Sequence, residues 1–130
     1  MQINKQSNKP YYEQIVFGIK EDILKGILIP GDKIPSVRDM AALLLTNPNT
    51  VSKAYKELEA QDVILTVRGR GTFVKDSATS SPSSKQMDKI KTKLQEAVVE
   101  ALYFEVPLEE IQSWVKQTIQ EFGGEINGNY

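Results

Sequence analysis

Cysteine and histidine are both absent from this 130-residue sequence. Their absence removes thiol nucleophiles, disulfides, thiolate and imidazole metal sites and every histidine-dependent triad. No cofactor and no metal site are therefore expected. Long apolar runs are missing too: nothing approaches the roughly 18 consecutive apolar residues that a spanning helix needs. The opening MQINKQSNKP lacks the apolar segment of a secretion signal. The expectation is an intracellular, cytoplasmic protein with no membrane partner. Carboxylates are the remaining catalytic currency, yet the pairs Glu21-Asp22 and Glu109-Glu110 are direct neighbours, which do not face each other on a helix. No glycine-rich phosphate loop accompanies them. An enzyme is not expected.

What the chain does contain is ordinary for a soluble globular protein: 40% apolar and 25% charged residues, with 8 Gly and 6 Pro. Its length suits one domain, or a small domain with an appendage. The net charge of −1 hides a division. Residues 1–76 carry 11 basic against 9 acidic side chains, and residues 77–130 carry 5 against 8. Between them runs DSATSSPSSKQ, small and polar with nothing to bury. The reading is a first module over 1–76, a linker over 77–86 and a tail over 87–130.

In the first module, Tyr12, Ile15, Val16, Ile19 and Ile23 form one stripe of a helix from about Tyr11 to Gly26. Pro30-Gly31-Asp32 is a turn, and Pro35 forces an extended residue before it. Ser36 is placed to cap a second helix, with Asp39 near its positive end and Val37, Met40, Ala41 and Leu44 as its buried stripe. This helix must stop near Thr46, because Asn47-Pro48 is a start signal: an N-cap followed by proline at the first helical position. The third helix buries Val51, Ala54, Tyr55 and Leu58 and turns Asn49, Thr50, Ser52, Lys53 and Lys56 outward. Two short helices in this relation are the layout of a helix-turn-helix. Beyond Asp62 the pattern becomes extended: Val63 to Val67, a turn at Arg68-Gly69-Arg70-Gly71, then Thr72 to Val74. This is a two-stranded hairpin whose glycines allow its arginines to approach another surface closely.

The tail carries a heptad-like seam, Met87, Ile90, Leu94, Ala97, Ala101 and Phe104, on a helix from about Ser84 to Phe104. Val106-Pro107 breaks it, and Leu108, Ile111, Val115, Ile119 and Phe122 form a second stripe ended by Gly123-Gly124. Two helices of this size cannot shelter both stripes alone. A second copy of the chain is the expected cover, making Met87, Ile90, Leu94, Ala97, Ala101, Phe104, Ile111, Val115 and Ile119 candidate dimerisation residues. An amphipathic membrane helix is disfavoured, because Glu96, Glu100, Glu105, Glu109 and Glu110 suit anionic lipid poorly.

The ordered set Ser36-x-Arg38, Asn47-Pro48-Asn49-Thr50-Val51 and Arg68-Gly69-Arg70-Gly71-Thr72-Phe73-Val74 resembles the bacterial GntR family of transcription regulators. Within it, the NPNTV segment and short helical tail look like the YtrA-type subfamily, which lacks a separate large effector domain. The resemblance implies a mainly α winged helix-turn-helix with a β-hairpin wing and a short two-helix dimerisation module. It further implies a homodimer on double-stranded DNA. Position by position, Arg38 matches the basic residue at the front of the second helix, Asn49 to Lys53 the base-reading start of the third, and Arg68 and Gly69 the wing tip. Pro48 and Ser52 stand where many relatives have arginine. Asp62 replaces the usual glycine and must adopt a left-handed conformation.

Physical chemistry supports the same assignment. A helix start aimed into the major groove offers short side chains and free N–H groups to bases and phosphates. Asn49 can bond adenine or phosphate, Thr50 a phosphate or thymine methyl, and Lys53 and Lys56 supply charge. Alone, such residues also describe a solvated helix face; the flanking turn and hairpin favour DNA. The candidate DNA-binding set is Ser36, Arg38, Asn47, Asn49, Thr50, Ser52, Lys53, Lys56, Arg68, Gly69, Arg70 and Gly71, with the wing directed to a minor groove. The expected function is a sequence-specific regulator, a repressor, acting as a homodimer on a two-fold symmetric operator. Two alternatives stay open: a winged-helix protein-interaction adaptor, and a regulator with a small effector held between the tail helices.

Overall fold

In the computed structural model, which describes residues 1–76 and 81–123, the first apolar stripe becomes α1 (Tyr11–Leu24). Ile15, Val16 and Ile19 are buried, and Tyr12 and Ile23 half-buried. The helix ends two residues before Gly26, whose φ of +75° lets the chain turn away. Residues ahead of α1 lie along it. The Gln14 amide accepts from the Asn4 N–H at 2.7 Å and donates to the Asn4 and Lys9 carbonyls at 3.0 Å each.

Ser36 caps α2 (Val37–Leu44), its Oγ accepting from the Asp39 N–H at 3.1 Å. Asn47 caps α3 (Pro48–Ala60) through the Asn49 N–H at 2.8 Å, and Pro48 opens that helix. Each of these caps stabilises its helix by about 1 kcal/mol. The connection between the helices is only Leu45, Thr46 and Asn47, which it achieves by placing Leu45 in the left-handed region, φ 53° and ψ 48°. Val51, Ala54, Tyr55 and Leu58 of α3 are all buried. They pack between α1 and α2, making α3 the central element of the unit. Full burial of a side chain such as Leu58 is worth about 1.5–3 kcal/mol.

The expected two-stranded hairpin forms, and a third strand that the sequence did not suggest joins it in an antiparallel sheet. A short β1 (Lys33–Ile34) pairs with β3 (Gly71–Val74), which pairs in turn with β2 (Ile64–Val67), giving the order β1-β3-β2. Pro35, lacking an N–H, holds Ile34 extended and ends the added strand. The Val74 N–H donates to the Asp32 carbonyl and its own carbonyl accepts from the Gly31 N–H, both at 2.8 Å. The wing turn is also one residue shorter than expected. Arg68, Gly69 and Arg70 form the loop, and Gly71 pairs with Val67 inside the sheet. Asp62 has φ 59°, the left-handed conformation its position demands.

The chain divides into two compact units, Met1–Thr79 and Ser80–Tyr130. In the second, Ser83 and Gln86 form a reciprocal capping box at the start of α4 (Ser84–Tyr103), with bonds of 3.1 and 2.9 Å. The helix starts at Ser84, as the apolar spacing predicts, and so overlaps the last three residues of the expected linker. Pro107 opens α5 (Leu108–Glu121), which Gly123 follows at φ +80°; Gly124 lies outside the described residues. Neither α4 nor α5 contains a buried residue, and the two scarcely pack on each other.

Candidate nucleic-acid interface

Three segments of the first unit carry the candidate residues, and all three are anchored to α3. Tyr55, buried in α3, donates its hydroxyl to the Pro35 carbonyl at 2.7 Å, fixing the approach to α2. Burial pushes this phenol well above the ordinary tyrosine range. On the opposite side, the Thr66 hydroxyl of β2 donates to the Glu59 carboxylate at 2.9 Å and lies 3.3 Å from the Thr72 hydroxyl. The wing is thereby tied to the last turn of α3.

At the start of α3, Asn47 and Asn49 are exposed, while Thr50 and Ser52 are half-buried. The Asn47 side-chain oxygen is occupied by its capping bond, as is the Ser36 hydroxyl on α2. Both are thus helix caps first, with only their remaining hydrogen-bonding capacity turned outward. Arg38 is exposed on the first turn of α2. Lys56 is exposed on α3. The Lys53 ammonium sits 4.0 Å from the centroid of the Tyr12 ring, a cation–π contact between α3 and α1. Burial, then the adjacent Glu13 carboxylate, raise the Tyr12 phenol above its ordinary value; its hydroxyl donates to Glu13 at 3.4 Å.

Arg68, Gly69 and Arg70 are exposed at the wing tip. The Arg70 N–H donates to the Val67 carbonyl at 2.9 Å, and Gly69 has φ +80°, the pattern of a type II turn. Gly71, at φ +125°, has the Lys33 side chain across it: a Cβ there would lie 2.6 Å from Lys33 Cε. Two participants therefore escape the sequence reading, Lys33 and Tyr12. Only the basic character of Lys33 and the aromatic character of Tyr12 were legible, since their partners are distant in the chain. Among the described residues, Lys33, Arg38, Lys56, Arg68 and Arg70 form no ion pair, so their charge is available to an anion. Among the same residues there is no group of three or more metal-ligating side chains, and no helix is long and apolar enough to cross a membrane.

The candidate dimerisation residues lie on the second unit. Met87, Ile90, Leu94, Ala97, Phe104 and Val115 are exposed, and Ala101, Ile111 and Ile119 half-buried. Ile90 and Leu94 leave 61% and 55% of their surface open. So much uncovered apolar surface is what an interaction face displays.

Residues 11–74 match the model of the bacterial regulatory proteins of the gntR family. The HTH-type transcriptional repressor YtrA of Bacillus subtilis (strain 168) is 45% identical over 124 residues, covering 95% of this chain and 95% of that protein. The chain belongs to the GntR family. A crystal structure described as a transcriptional antiterminator from Listeria monocytogenes EGD-e superposes with a TM-score of 0.90 at 43% identity. It covers 98% of this chain and 97% of that one. The AraR DBD in complex with operator ORX1 matches with a TM-score of 0.52 and 28% identity, over 57% of this chain and 94% of its own. GntR membership makes the first unit a winged helix-turn-helix DNA-binding domain and the protein a transcriptional regulator.

Proposed function

We propose that this GntR regulator is a repressor that binds a two-fold symmetric operator as a homodimer, in the cytoplasm. The start of α3 enters a major groove, with Asn49 and Thr50 at base edges or phosphates and Lys53 and Lys56 beside the backbone. The Arg68–Arg70 tip enters the adjoining minor groove, and Arg38 contacts phosphate. Ser36, Asn47 and Ser52 contribute as caps and short polar neighbours, Gly69 by letting the wing approach closely, and Gly71 at the wing base by leaving room for the Lys33 side chain. The observation carrying this reading is the set of exposed, ion-pair-free cations on α2, α3, the strand beside the wing and the wing itself, all built around the buried face of α3. The name of the Bacillus subtilis relative supports repression, and the operator-bound AraR DBD supports the docking mode.

The second unit supplies the dimer through its uncovered seam and stripe. Half-sites about 34 Å apart, or a multiple of that, are expected. Selection of bound fragments from a random duplex pool, followed by footprinting, tests the proposal. A two-fold protected site is expected; no fragment retained at low ionic strength would overturn it. Each phosphate contact adds about 0.9 to the salt slope, so Arg70→Ala should lower that slope by about one if Arg70 contacts phosphate, and an unchanged slope removes it from the contact set.

A further inference from the structure

The seam on α4 is a six-position heptad row, whose spacing admits either pairing direction. Met87, Ile90, Leu94, Ala97, Ala101 and Phe104 are separated by three, four, three, four and three residues, a series that reads the same in both directions. Its midpoint falls between Gln95 and Glu96. Reversing the helix about that point superimposes every seam position on another seam position: Met87 on Phe104, Ile90 on Ala101, Leu94 on Ala97. Resting on the dimer reading above, we infer that α4 packs against α4 of a second copy in antiparallel register about this midpoint.

Side-chain size argues for the reversal. In the four inner layers each large residue, Leu94 or Ile90, meets an alanine, so the layers have similar volume and the backbones can approach evenly. Parallel pairing would instead stack alanine on alanine at 97 and 101, and leucine or isoleucine on itself at 94 and 90. That arrangement leaves the layers at 97 and 101 thin between thick ones. Met87 and Phe104 close the two ends, where Phe104 already stacks edge-on with Tyr103 at 5.1 Å.

Charge argues independently for the same direction. The first half of α4 holds Lys85, Lys89, Lys91 and Lys93 with only Asp88 in opposition, whereas its second half holds Glu96 and Glu100 and no cation. A parallel pair sets lysines beside lysines and glutamates beside glutamates. Reversal sets the basic half of each helix beside the acidic half of the other. Lys93 and Glu100 flank the seam on the same side, seven residues apart. In an antiparallel pair like flanks face each other, so Lys93 meets Glu100 of the partner subunit, twice by symmetry. The helix is 20 residues long. Reversal therefore carries the two points where the chains enter α4 about 30 Å apart, close to the rise of one DNA turn.

The absence of cysteine makes the test direct, since a single introduced thiol is the only labelling site. Lys85→Cys and Gln95→Cys, both exposed and off the seam, are spin-labelled in the full chain, and label separations are measured by pulsed EPR. The axial offset between labels should be about 31 Å at position 85 and about 2 Å at position 95. Equal separations at the two positions, in a protein that sediments as a dimer, would overturn the register and leave dimerisation standing. A monomer at all concentrations would overturn both. Lys93→Glu should raise the dimer dissociation constant about fivefold, and Glu100→Lys added to it should restore the original value. Failure of that rescue in a dimeric protein counts against the register.

Discussion

The Lys53 ammonium rests on the face of Tyr12, 4.0 Å from the ring centroid, so α1 holds a cation of α3 in place. A lysine left free would sample many rotamers, at an entropic cost when it meets a phosphate. The ring restricts that search while leaving the ammonium exposed. Tyr12→Phe keeps the π face and should leave operator affinity within about twofold. Tyr12→Leu keeps apolar volume but loses the contact, and should weaken binding about threefold, consistent with a cation–π contribution near 0.5–1 kcal/mol. Fluorescence anisotropy with an operator duplex distinguishes the two variants. Equal behaviour would show that Lys53 needs no support.

At the wing base, two effects oppose an alanine at position 71, and their sizes differ. The steric one involves the far end of Lys33, a flexible chain that can move aside. The conformational one is fixed by φ +125°, which a side chain tolerates poorly. Gly71→Ala is thus expected to destabilise the domain by about 1–2 kcal/mol in urea unfolding. Adding Lys33→Ala should recover little of that loss. Full recovery would show that the lysine contact, not the backbone, requires glycine.

Tyr55 links pH to stability. Its pKa is raised by burial, so the neutral phenol is favoured in the folded chain. The contribution is whole below the unfolded tyrosine value of about 10 and is lost as pH climbs toward the folded value. Histidine, which ordinarily titrates between pH 5 and 8, is absent. Stability should accordingly fall above about pH 10, and Tyr55→Phe should make that fall shallower. The same variant should lower stability at neutral pH by about 1 kcal/mol, because the Pro35 carbonyl loses its donor. Thermal unfolding across pH checks both effects.

Features set by neighbouring residues were legible in the sequence, and those set by distant pairing were not. Ser36 and Asn47-Pro48 mark helix starts through local chemistry, and the spacing of Val51, Ala54, Tyr55 and Leu58 names the buried face of α3 directly. β1 has two residues and therefore no period; its partner in β3 lies about forty positions along the chain. The same distance concealed Lys33 over Gly71, and the Tyr12–Lys53 contact crosses a comparable gap. Ser83 and Gln86, a helix-starting pair, sit in a run whose composition resembles loop, so composition and apolar spacing overlap at residues 84–86. Seam spacing predicts a helix where α4 forms, but what covers its apolar row is not encoded in the contacts of α4 within the chain.

Two non-glycine residues in the first unit occupy the left-handed region, and their different surroundings yield opposite-sized expectations. Leu45, at φ 53°, ends α2 with 78% of its surface exposed, so its side chain gains almost nothing from folding. Asp62, at φ 59°, belongs to a residue type that tolerates this conformation better, and its carboxylate pairs with Lys75 at 3.0 Å. Replacing Leu45 by glycine removes the full steric cost of the conformation and should stabilise the protein by about 1 kcal/mol, net of the greater freedom glycine gives the unfolded chain. Asp62→Gly relieves less strain and gives up an exposed ion pair, so its net gain should stay below about 0.5 kcal/mol. Urea unfolding of the two variants decides the matter: a destabilised Leu45→Gly would mean that the exposed leucine makes a contact in the folded protein that compensates for its backbone.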